Sequence, residues 1–84
     1  MKKWNYDTNK YDDYTIPEDW HVNTVGFYMD EIINCANCGV KTIYGYTYTS
    51  KEIKDDLGFG YSVCGECHAK EWERIENANK REKN

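Results

Sequence analysis

Two matched cysteine pairs, Cys35-Ala36-Asn37-Cys38 and Cys64-Gly65-Glu66-Cys67, constrain this chain more than any other feature, and they hold all four of its cysteines. A two-residue gap turns both sulfurs of a pair toward one point, so two pairs can close a tetrahedron around one metal ion. Zinc suits four thiolates best, being tetrahedral and without redox chemistry of its own. Disulfides, dithiol redox chemistry and an iron–sulfur cluster are the competing uses of such cysteines. One structural Zn²⁺ on Cys35, Cys38, Cys64 and Cys67 is the expected one. Catalytic zinc keeps an open position and takes histidine or carboxylate ligands, whereas four cysteines close the shell.

Eighty-four residues make one small domain, whose core needs help from a metal or from cross-links. Leucine occurs once, while eight tyrosines, three tryptophans and two phenylalanines carry much of the apolar content, so a thin, aromatic core is expected. A structural zinc ion contributes on the order of 10 kcal/mol of coupled folding free energy, enough to dominate such a chain. Met1-Lys2-Lys3-Trp4 does not open a secretory leader, and no stretch approaches a membrane span. Paired C-x-x-C motifs without such signals fit a reducing cytoplasm.

The formal net charge is −4, and residues 1–34 account for it, with three lysines against seven carboxylates. Four thiolates and a divalent ion add a further −2, by about the same logic that makes bound ions the largest local charges in a site. A basic face for phosphates is missing.

Residues 1–20 interleave aromatics with acids around the single proline, Pro17, and show no clean period. They are expected to form a partly ordered acidic, aromatic arm on a zinc-binding domain of residues 21–80, followed by a frayed tail, 81–84. Val22–Val25 is a candidate strand, and Ile32-Ile33-Asn34 runs extended into the first cysteine pair. Val40, Thr42, Tyr44, Tyr46 and Tyr48 alternate as one strand face, with Gly45 marking a bulge or a close backbone approach. Thr49-Ser50-Lys51-Glu52 has the pattern of a helix capping box, predicting a helical turn or two over 51–56. Leu57, Phe59, Tyr61 and Val63 alternate again, delivering the chain to Cys64. Beyond Cys67, Ala69, Trp72, Ile75 and Ala78 make a narrow apolar stripe with acids early and bases late, a helix well formed to about Ala78.

A C-x-x-C knuckle, a hairpin, then a second C-x-x-C that opens a helix resembles the treble-clef zinc finger, with the zinc ribbon as the rival. The resemblance covers residues 32–80 and implies a small α+β fold. In it, Cys35 and Cys38 would be the knuckle ligands, and Cys64 and Cys67 the ligands on the first helical turn. The insertion around Ser50–Asp56 lengthens the hairpin connection beyond the family's minimal pattern. The small, acidic, aromatic-rich character is also similar to zinc-finger proteins encoded by phages of low-GC bacteria.

Treble clefs serve many tasks, so function rests on the site rather than the fold. Nucleases of the HNH type use this fold with histidines near the hairpin and helix, but the stretch from Val40 to Val63 has none. His21 is a lone histidine, and His68 directly follows a ligand set that is already complete, so no catalytic residues are expected. The preferred reading is a protein-interaction module, such as a phage-encoded regulator or inhibitor of a host nucleic-acid enzyme. Trp4, Asp12, Asp13, Tyr14, Glu18, Asp19 and Trp20 would meet a basic protein surface. The alternative is single-stranded nucleic-acid binding, with bases stacked on Tyr44, Tyr46, Tyr48, Phe59 and Tyr61. The acidity of the chain disfavours that alternative.

Overall fold

A computed structural model describes residues 1–22 and 28–82 of the chain. Its elements in order are β1 (Lys2–Asn5), β2 (Lys10–Asp13), β3 (Ile32–Asn34), β4 (Lys41–Ile43), a short 3-10 turn (Tyr44–Tyr46), β5 (Tyr48–Lys54), β6 (Gly60–Val63) and the helix α1 (Gly65–Glu82). The strands form two antiparallel sheets, a four-stranded one in the order β2-β1-β5-β6 and a two-stranded one of β3 and β4. The fold is therefore small α+β with one C-terminal helix.

The largest departure from expectation lies at the N-terminus. Residues 2–13 are a regular hairpin rather than an arm, with Trp4 opposite Tyr11 and Lys3 opposite Asp12. Asp7, Thr8 and Asn9 make its turn: the Asn5 side-chain oxygen accepts from the Asp7 amide (2.9 Å), and Asn9 takes the left-handed backbone (φ 54°) that asparagine tolerates. β1 then joins β5, pairing Lys2 with Lys54 and Lys3 with Ile53. Half of the acidic segment thus belongs to the main sheet.

Of the stretch predicted as helix over 51–56, residues 51–54 are the extended end of β5, and Asp55 and Asp56 enter the turn that follows. The polar signal there was real, but its geometry is different. Ser50 Oγ accepts from the amides of Glu52 (3.1 Å) and Ile53 (2.9 Å), as a helix cap would. Those bonds instead accompany an irregularity in the β5–β6 register between Thr49 and Lys54.

The single strand expected through Val40–Tyr48 is broken by the 3-10 turn: the Tyr44 amide still bonds Glu31 O in register with β3 (2.8 Å), but the Gly45 amide turns to Met29 O (2.9 Å) and the Thr47 amide closes onto Tyr44 O (3.0 Å). A side chain at residue 45 would come within 2.8 Å of Met29 O, so the glycine marks the close approach its position suggested. Leu57 and Gly58 belong to the turn before β6, and α1 continues past Ala78 to Glu82. The strand expected at Val22–Val25 lies outside the described residues from residue 23 on.

Among the described residues the core is thin but not aromatic. Ile33, Ile53, Val63, Ala36, Cys35 and Cys67 are its buried apolar members. Tyr14, Tyr61 and Val22 pack partly buried against it, while Tyr46, Tyr48 and Phe59 are exposed. Tyrosine carries a hydroxyl that must stay hydrated or find a partner, which suits the edge of so small a core better than its centre. No described helix is long and apolar enough to cross a membrane.

Candidate metal centre

Local backbone geometry builds each half of the cysteine cluster. Cys35 follows β3, and the chain turns back at once: the Gly39 amide bonds to Cys35 O and the Cys35 amide to Val40 O, both at 2.9 Å. Gly39 sits at φ 80°, and the Trp20 ring lies where any side chain at residue 39 would go. The Ala36 amide bonds to Ser62 O (3.1 Å), tying this knuckle to β6. Cys64 directly follows that strand, and Cys67 lies in the first turn of α1, where helix polarity favours anionic sulfur. The His68 amide closes the turn onto Cys64 O at 3.0 Å.

The four sulfurs converge within 4.8 Å of one another, and none is in a disulfide. A regular tetrahedron with metal–sulfur bonds of about 2.3 Å has sulfur–sulfur edges of about 3.8 Å. The Cys38–Cys64 separation is 3.9 Å. Donors surround the sulfurs as they do in thiolate sites: the amides of Asn37 and Cys38 each reach Cys35 Sγ at 3.4 Å, and Asn37 Nδ2 reaches Cys67 Sγ at 3.3 Å. The donor set therefore fits one tetrahedral metal ion held structurally, with no ligand position left for water or substrate.

Without a cation the cluster is electrostatically divided. Burial disfavours the Cys35 thiolate, but the backbone donors of Cys38, Cys64 and Asn37 outweigh it and hold this thiol below its ordinary pKa. Burial raises the Cys38 thiol. Cys67 is pushed up to about 12, by burial first and then by its bonds to the other three sulfurs, against the opposing Asn37 amide. A divalent cation supplies the positive charge that lets all four ionise together.

The centre is also wired to the N-terminal hairpin. Asn37 Oδ1 accepts from Lys3 Nζ of β1 (3.1 Å), while its amide nitrogen bonds Cys67. The Tyr14 hydroxyl donates to Ala36 O at 3.0 Å. Composition and spacing gave no hint of Asn37; only its place between two ligands, as a side chain able both to donate and to accept, could have marked it.

A second polar cluster, absent from the sequence reading, joins β5 to α1. Glu71 is 1% exposed; its carboxylate accepts from Ser50 Oγ (2.5 Å) and the Lys51 amide (2.8 Å). Glu52, also 1% exposed, is forked by Arg74 through Nε (2.8 Å) and a terminal nitrogen (2.5 Å). The Tyr6 hydroxyl donates to the same Glu52 carboxylate, and burial plus that bond push Tyr6 up to about 12.

The structure treats the proposed partner-binding residues unequally. Trp4, Asp12, Asp13 and Tyr14 line one groove between the hairpin and α1, together with Glu52 and Arg74. Glu18 and Asp19 are exposed on the following loop, and Trp20 is half-buried against Gly39. His68 stacks on Tyr48 (4.5 Å, 10° between planes), and His21 lies 3.9 Å from Glu31. No protein-family model matches this chain, and no curated protein or solved structure matches it at a significant level.

Proposed function

We propose that this chain is a non-catalytic, zinc-binding protein-interaction module that docks through its acidic, aromatic N-terminal hairpin onto a basic protein surface. The observation that carries this reading is the joining of the hairpin to the cysteine cluster through Lys3–Asn37 and Tyr14–Ala36. An acidic, aromatic segment held in a fixed shape loses less entropy on docking than a loose arm. Its charge steers encounter with a basic partner, and its aromatic rings supply buried area.

The treble-clef reading belongs with this proposal. It is supported by the knuckle between β3 and β4 and by the second cysteine pair opening α1. The hairpin expected between the pairs is divided, since β4 returns to β3 while β5 pairs with β6. Inhibition or regulation of a nucleic-acid enzyme is the finer form of the proposal, because such enzymes present basic surfaces that an acidic module can occupy.

The test is capture of partners by the zinc-loaded chain from nuclease-treated bacterial lysate, identified by mass spectrometry. One stoichiometric protein, released by salt, is the expected result. Partners that vanish on nuclease treatment would replace this reading with single-stranded nucleic-acid binding.

A further inference from the structure

The four sulfurs of the metal centre are not equally accessible. Cys35 and Cys67 are buried, at 0% and 5% exposure, whereas Cys38 is exposed and Cys64 half-buried. The buried two are also held in place. Cys35 Sγ accepts from the Asn37 and Cys38 amides, and Cys67 Sγ accepts from Asn37 Nδ2. The Cys35 backbone is bonded on both sides, to Val40 and Gly39, and Cys67 lies inside α1.

One edge of the cluster therefore faces water, and it joins sulfurs from different C-x-x-C motifs. Cys38 Sγ and Cys64 Sγ lie 3.9 Å apart along it. Both residues sit in connections, Cys38 between β3 and β4 and Cys64 between β6 and α1. A disulfide bond of about 2.0 Å asks the two sulfurs to approach by roughly 2 Å. Oxidation of cysteine follows thiolate character and exposure, and metal binding keeps these sulfurs deprotonated.

We propose that Cys38 and Cys64 are a peroxide-modified site, oxidised to a cross-pair disulfide that releases the ion and takes over its task of tying the knuckle to the helix. The Cys38 thiolate attacks one peroxide oxygen; the O–O bond breaks, sulfur gives up two electrons to become a sulfenic acid, and hydroxide leaves. The Cys64 thiolate then attacks the Cys38 sulfur, and the S–O bond breaks as the S–S bond forms, releasing a second hydroxide. Two thiolates and one hydrogen peroxide thus give one disulfide and two hydroxide ions. Cys35 and Cys67 alone are half of a tetrahedral shell, too few to retain the metal. A bond inside either pair would close only its own turn, whereas this one spans 26 residues, from the knuckle to the start of α1. The proposal rests on the four-cysteine metal centre and is independent of any partner.

The experiment treats the full zinc-loaded chain with one equivalent of hydrogen peroxide and follows zinc with a chromophoric chelator. Remaining thiols are blocked with N-ethylmaleimide, and peptide fragmentation by mass spectrometry locates the bond. The expected result is one zinc ion released per disulfide, with the blocking groups on Cys35 and Cys67. Cys38→His keeps a complete shell of three cysteines and a histidine, and should slow release on the order of tenfold. The bond is located in the parent chain, so that result decides the proposal even if the variant does not load. The oxidised, zinc-free chain should also keep amide protection in β3 that the chelated, reduced chain loses. A bond inside either C-x-x-C pair, release without a disulfide, or a metal that survives excess peroxide would overturn the proposal. An unchanged rate in zinc-loaded Cys38→His, or equal β3 protection in the two zinc-free chains, would also count against it. Each of these failures leaves the interaction-module reading standing, whereas a chain that takes up no zinc at all would overturn the metal centre and this proposal together.

Discussion

Asn37 does two jobs with one amide: its nitrogen supports the Cys67 sulfur and its oxygen holds Lys3. Outer partners of metal ligands are commonly worth about 10–100-fold in metal affinity. Asn37→Ala is therefore expected to weaken zinc at least about tenfold in competition with a chromophoric chelator. Asn37→Asp keeps an acceptor for Lys3 but sets a carboxylate beside an anionic sulfur, so it should fail to restore zinc affinity. Tyr6 makes a second residue-scale prediction, through pH. Its folded pKa, about 12, lies above the ordinary phenol value of 10, so the folded state favours the neutral hydroxyl that donates to Glu52. That contribution is complete below about pH 10 and is lost as pH rises toward 12. Urea unfolding across this range should show a shallower alkaline loss of stability in Tyr6→Phe than in the parent chain, and parallel curves would refute the assignment.

At the scale of elements, the β5–α1 seam is polar where an apolar contact would be simpler. Ser50, Glu52 and Glu71 are all buried on it, and each is satisfied. Arg74→Ala would leave the Glu52 carboxylate buried with only Tyr6 beside it, which should destabilise the fold by roughly 3–5 kcal/mol in urea unfolding. Replacing the pair together, Glu52→Leu with Arg74→Met, should recover most of that loss. A single and a double variant of equal stability would show that the ion pair is not what Glu52 depends on. The same seam explains why some elements were legible in the sequence and others were not. The cysteine pairs and α1 rest on spacings of three or four residues, and both appear where the pattern placed them. Ser50 also announced its hydrogen bonds to the second and third following amides, but those bonds fit a helix cap and an irregular strand alike. Long-range pairing with β6, and with Lys2 and Lys3, decided for the strand. The N-terminal hairpin was hidden for the same reason: its partner on β5 lies some fifty residues away, and local periodicity carries no trace of it.

For the molecule as a whole, the metal centre is where separate parts meet. The chain is elongated, 44 × 22 × 19 Å, and no large side chain besides Ile33, Ile53 and Val63 serves as fully buried apolar filling among the described residues. The four-stranded sheet reaches the knuckle at Ala36–Ser62, the hairpin at Asn37–Lys3 and Tyr14–Ala36, and the helix begins on a ligand turn. Removing the ion leaves crowded thiols, among them Cys67 at about 12, to protonate inside this junction. Chelation should then release more than the knuckle. Amide exchange protection should fall in β1 and β2 together with β3, and near-ultraviolet signals from Trp4 and Trp20 should disappear, all returning with added zinc. The dependence on acid follows the same sign, since bound metal requires deprotonated sulfur: protection should be present at neutral pH and lost as pH falls. A hairpin that keeps its protection in the metal-free chain would mean that the main sheet stands without the cluster. In that case the acidic surface would be available to a partner whether or not zinc is bound.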